Sequence, residues 1–79
     1  MPMSENIPPM YRTIGMRVKL ARLAAGLTAK DLGAKLSRPR SRQSVSAMEK
    51  GAVRITIEDL LDISRIVDEP VEVLIRGLE

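Results

Sequence analysis

Cysteine and histidine are both absent from this 79-residue chain, and together the two absences remove several classes of chemistry. Without thiols there is no disulfide framework and no thiolate metal site, and nothing indicates an oxidising compartment. Without imidazole, acid–base or nucleophilic catalysis would rest on carboxylates, lysines or hydroxyls alone, and no arrangement of these suggests a cleft. An enzyme is not expected, nor a catalytic residue, a metal or another cofactor. Long apolar runs are missing too, since none approaches the roughly 18 residues of a membrane span. The N-terminus lacks a charged segment followed by an apolar one. The expected location is the cytoplasm, with no membrane partner. A chain this short makes one domain whose core is only marginally sufficient, which favours added stabilisation such as dimerisation.

The net charge of +3 is made of two opposed blocks. Between Arg12 and Arg54 eleven Lys and Arg residues stand against Asp31 and Glu49 alone. From Ile55 to Glu79, Arg65 and Arg76 face seven carboxylates. A basic block of this kind is either an ordinary solvated surface or the electrostatic footprint of a phosphate-binding face.

No strand signal occurs, and five helical segments can be placed. Residues 1–8, with Pro2, Ser4 and Pro8, show no period and are expected to be a flexible arm ahead of one domain over 9–79. The first helix is predicted from Pro9 to Ala25, ended by Gly26 in a left-handed cap. At about 100° per residue, Ile14, Val18, Ala21 and Ala25 share one face, and Met16, Leu20 and Leu23 the nearly opposite one. The second stripe is then covered by the arm (Ile7, Met10), by a subunit, or by nothing. Thr28 and Asp31 have the spacing of a capping box for a second helix reaching about Leu36, with Leu32 and Leu36 inward and Lys30 and Lys35 solvated or near phosphate. Pro39 breaks the chain within Ser37–Arg40. Ser41 caps a third helix, with Val45 and Met48 inward and Gly51 ending it. Thr56 with Asp59 repeats the capping box ahead of a fourth helix, whose apolar positions are Ile57, Leu60, Leu61, Ile63, Ile66 and Val67. Pro70 suits the first turn of a fifth, with a stripe of Val71, Leu74, Ile75 and Leu78 and with Val73 off it.

The second and third segments carry the functional signal. Each opens on a hydroxyl cap and shows a narrow apolar stripe on an otherwise polar face, a pair suited to a DNA groove. The outward residues after the Ser41 cap are Arg42, Gln43, Ser46 and Ala47, short or planar side chains able to approach base edges.

The pattern Gly15-x-x-Val18-x-x-x-Arg22-x-x-x-Gly26-Leu27-Thr28, then Leu32, then Val45-Ser46-x-x-Glu49-x-Gly51, resembles the Cro/phage-repressor (XRE) family over about residues 12–78. The resemblance implies an all-α, five-helix, lambda-repressor-like domain whose second and third helices form a helix-turn-helix, the third being the recognition helix. It further implies base contacts from Arg42, Gln43 and Ala47. Arg suits guanine O6 and N7, Gln suits adenine N6 and N7, and Ala offers a methyl contact. Phosphate contacts are implied for Thr28, Lys30, Ser44 and Ser46, and for Lys50 and Arg54 just past the recognition helix. For any one of these an ordinary solvated side chain is the alternative. Arg22 and Glu49 are implied to be a structural ion pair between helices one and three.

Two departures from the family are visible. Ala29 stands where members usually carry Gln, and the turn between Leu36 and Val45 is enlarged by about two residues. The added residues either bring Arg38 and Arg40 onto phosphate or shift the recognition helix. Asp68-Glu69-Pro70 also replaces the usual small and apolar residues between helices four and five. The expected function is a sequence-specific regulator binding double-stranded DNA as a homodimer on a two-fold operator. With no effector domain after Leu78, repression by blocking polymerase is the simplest expectation, and activation by direct contact is the other possibility. The candidate dimer surfaces are Val73 with Leu78, or the Met16/Leu20/Leu23 stripe. The competing class is a protein-interaction module, antitoxin-like or coregulatory, taking a protein partner on helix one or on the acidic C-terminal helix.

Overall fold

A computed structural model describes residues 6–78. Five helices follow one another: α1 (Met10–Ala24), α2 (Ala29–Lys35), α3 (Arg42–Glu49), α4 (Ile57–Val67) and α5 (Val71–Ile75). No strand occurs among the described residues. Of the expected arm, residues 1–5 lie outside the described residues, and the Asn6 carbonyl accepts a hydrogen bond from Arg54 Nη2 at 3.3 Å.

Local sequence sets each boundary. Gly26 and Gly51 take left-handed conformations, each with φ 76°, after α1 and α3. Thr28 and Asp31 form the full capping box. The Thr28 hydroxyl accepts from Asp31 N–H and the Asp31 carboxylate accepts from Thr28 N–H, both at 3.0 Å. Ser41 accepts from Ser44 N–H at 3.1 Å. The Thr56 box is only half made: its hydroxyl accepts from Asp59 N–H, but the Asp59 carboxylate turns to Arg40 instead of the cap. A charged donor makes the stronger hydrogen bond, so the guanidinium prevails over a backbone N–H. α4 stops at Asp68, whose φ of 60° is a conformation that a short polar side chain tolerates.

The core is built from Ile14 and Val18 of α1, Leu32 of α2, Val45 and Met48 of α3, Leu60, Ile63 and Val67 of α4, and Leu74 of α5. Ala21 of α1 and, from the connections, Leu36 and Ile55 complete it. Four expected apolar positions face solvent: Ala25, Ile57 and Leu61 of α4, and Ile75 of α5. Among the described residues Ile57 is the most exposed large apolar side chain, at 75%. Apolar residues encircle much of α4, and only one arc of a helix can meet so small a core. Met16, Leu20 and Leu23 are likewise exposed among the described residues, so Ile7 and Met10 do not cover them.

α3 lies in the angle between α1 and α2, while α5 closes the other side against α1 and α4. Gly15 allows the first of these contacts, because a Cβ there would stand 2.5 Å from the carbonyl oxygens of Met48 and Glu49. α5 is tied back to α1 by Arg17, whose Nη1 donates to the carbonyl of Arg76 at 2.6 Å. Terminal helix carbonyls lack intrahelical partners, and a guanidinium there supplies one.

Candidate nucleic-acid interface

The orientation of α3 is set by a buried ion pair. Arg22 Nε donates to Glu49 Oε2 at 2.7 Å and Nη2 to Oε1 at 3.0 Å, while Nη1 donates to the Leu27 carbonyl at 2.9 Å. The two side chains are only 9% and 6% exposed. The hydrogen bonds that Arg22 donates to Glu49 raise its pKa further above its already high ordinary value, outweighing the opposing effect of burial. A two-pronged contact fixes both distance and rotation, so α3 is held to α1 in one register.

The enlarged turn is held from the other side. Its Ser37 donates N–H and hydroxyl to the two oxygens of Asp62, at 2.9 and 2.8 Å. Arg40 Nη2 reaches both oxygens of Asp59 at 3.1 Å, and Arg40 N–H donates to the Gly33 carbonyl at 2.9 Å. Gly33 is required here, since any Cβ would collide with the Arg40 carbonyl oxygen. Asp62 is held below the usual carboxylate range by the Ser37 N–H, then by the Ser37 hydroxyl and Arg65. Two carboxylates one turn apart on α4 thus clamp the extra residues of the turn.

Arg42 and Gln43 stand exposed at the capped end of α3, on a ridge between two hollows. The larger, about 600 Å³, brings together Arg42, Gln43, Ser46, Ala47 and Lys50 with Lys19, Ala29 and Ala52, and the Arg22–Glu49 pair also lines it. The smaller, about 490 Å³, joins Lys30, Ala34 and Pro39 to Arg40, Ser41 and the same two side chains. Thr28, Arg38, Ser44 and Arg54 line neither hollow. Thr28, Arg38 and Arg54 are exposed and Ser44 is half-buried. Arg40 is turned toward Asp59 with 29% of its side chain exposed, so its first role is to hold the turn. The surface pairs a projecting edge of planar donors with lysines on its flanks, a shape able to enter a groove between phosphates.

The sequence reading missed Lys19, Gly33, Ser37, Asp59 and Asp62 as parts of this assembly. Lys19 lies three residues before Arg22, and residues three apart share a helix face, so its nearness to α3 followed from the expected ion pair. The Asp59 and Asp62 contacts had no comparable local signal.

A helix-turn-helix domain family model matches residues 13–74. The chain belongs to the helix-turn-helix domain family. Among solved structures, the domain is similar to the crystal structure of the clp gene regulator ClgR from C. glutamicum. The two are 26% identical with a TM-score of 0.73, over 91% of this chain and 99% of that one. No curated protein matches by sequence. The chain is therefore an XRE-type, all-α helix-turn-helix DNA-binding domain. None of its described helices is long and apolar enough to cross a membrane.

Proposed function

We propose that this protein is a sequence-specific transcriptional regulator that binds a two-fold operator as a homodimer, placing the N-terminal end of α3 in the major groove. The observation that carries the reading is the exposed Arg42–Gln43 edge, held by the Arg22–Glu49 pair and flanked by Lys19, Lys30 and Lys50. Arg42 reads guanine, Gln43 reads adenine, and Ala47 offers a methyl contact. Thr28, Lys30, Arg38, Ser44, Ser46, Lys50 and Arg54 act on phosphate, joined by Lys19. The Thr28 hydroxyl accepts within its cap and still has a proton to donate. Likeness to ClgR, a gene regulator, supports the same class of function. Repression by occluding polymerase is the simplest mode of action, carried out in the compartment that holds the DNA.

Selection of bound sites from a random duplex pool tests the reading. The expected product is a palindrome with half-sites about one helical turn apart. Gln43→Ala should relax preference at one position of each half-site by about 1–3 kcal/mol, whereas Lys30→Ala should weaken all duplexes alike. Equal effects of the two changes would overturn the assignment. The exposed Met16/Leu20/Leu23 stripe favours a second reading, a protein-interaction module. In that case binding to a protein partner, with no duplex selected from the pool, is the result expected.

A further inference from the structure

We propose that the outer face of α4 is the surface through which two copies of this chain pair on the operator, an inference that rests on the DNA-binding reading above. The exposed arc of α4 consists of Ile57, Glu58, Leu61 and Arg65, with Ile57 75% and Leu61 52% exposed. At about 100° per residue these four span roughly one quarter of the helix circumference, opposite the buried Leu60, Ile63 and Val67. A two-fold axis passing beside Leu61 sets α4 antiparallel to its copy. Leu61 then meets the partner's Leu61, Ile57 covers the stem of the partner's Arg65, and Glu58 faces the partner's Arg65. The arrangement satisfies the self-complementarity that a two-fold contact demands, with each off-axis contact made twice. Arg65 already donates one amino group to Asp62, and 67% of its side chain stays exposed, so further donors can reach an acid across the axis.

The apolar stripe of α1 fails the same requirement. Met16, Leu20 and Leu23 adjoin Lys19 and carry no acidic neighbour in α1, so a second copy would bring like charges together. The α4 arc is also small. It covers on the order of a few hundred Å² per copy, below the about 800 Å² per partner of a standard stable interface. Pairing through it is therefore weak in free solution and effective when adjacent half-sites tether both copies. Because Asp59 and Asp62 on the same helix clamp the turn before α3, pairing of α4 also fixes the separation of the two recognition helices.

The test compares a palindromic duplex with a single half-site, by titration and by sedimentation. Free protein is expected to be monomeric at micromolar concentration and to bind the palindrome as two copies, roughly tenfold or more tighter than two independent half-site events predict. Ile57→Ser and Glu58→Lys are expected to remove that cooperativity while keeping half-site affinity within about twofold and the melting temperature near that of the parent. Glu58→Lys combined with Arg65→Glu should restore it, measured against the double variant's own half-site affinity. Cooperativity unchanged in both single variants, or not restored in the double one, overturns the α4 surface and leaves the DNA reading standing. Failure of the parent protein to bind any duplex overturns both.

Discussion

At the scale of single residues, the Arg22–Glu49 pair is the most consequential contact in the molecule. Both groups are nearly dehydrated, and an ion pair in that position returns little net stability, because its attraction largely repays the desolvation of its members. Loss of one partner is different, since the other is then buried without compensation. Glu49→Ala is expected to cost about 3–5 kcal/mol, a large share of what a domain of this size possesses. Urea unfolding measures it. Arg22→Met with Glu49→Leu should recover most of the loss by apolar packing, yet bind DNA more weakly than the parent because the two-pronged lock on α3 is gone. Recovery of both stability and affinity in the double variant would show that the pair does not position α3.

At the scale of elements, the α2–α3 turn depends on α4. Asp62 receives two hydrogen bonds from Ser37 and one from Arg65, and its carboxyl is held low in consequence. A carboxylate whose folded pKa is depressed stabilises the fold fully above its unfolded value of about 3.9. That contribution disappears as the pH falls through the lower folded value. Asp31, lowered first by the N–H of Thr28, acts in the same direction. Asp62→Asn should therefore be less stable than the parent at pH 7, with the gap narrowing as both are taken to pH ~3; thermal melts across that range measure it. A gap independent of pH would mean that Asp62 charge does not contribute. The helices themselves were legible in the chain because their signals are local: Thr28, Ser41 and Thr56 cap three starts, and Gly26 and Gly51 end two helices. The Arg22–Glu49 pair was legible through family spacing. What was not legible is pairing between distant residues. Asp59 had the spacing of a capping partner, and only the folded turn brings Arg40 close enough to claim it. Similarly, Ile57 and Leu61 differ from Leu60 and Ile63 in position around α4, not in kind, and no local rule says which arc meets the core.

At the scale of the whole molecule, charge is divided between the basic block up to Arg54 and the acidic block from Ile55 onward. Within the acidic block Asp59 and Asp62 are paired with Arg40 and Arg65, while Glu58, Asp68 and Glu72 face solvent. A polyanion approaching such a body is attracted to the α2–α3 side and repelled from the side bearing α4 and α5, so the encounter is oriented before any base is touched. Affinity should then fall with salt as counterions return to the DNA, with a slope in log–log form of about −0.9 for each phosphate neutralised. Lys19→Ala, Lys30→Ala and Lys50→Ala should each make the slope shallower by about one phosphate's worth. Glu72→Gln, on the far side, should leave the slope as it is while quickening association at low salt, because it removes repulsion without adding a contact. Titrations of one duplex between 50 and 200 mM salt, paired with stopped-flow association rates, separate the two effects, the window being wide enough to move affinity by orders of magnitude when several phosphates are held. A slope that responds equally to Lys30→Ala and Glu72→Gln would mean that DNA meets this protein on no particular side, and the division of charge would then have no part in recognition.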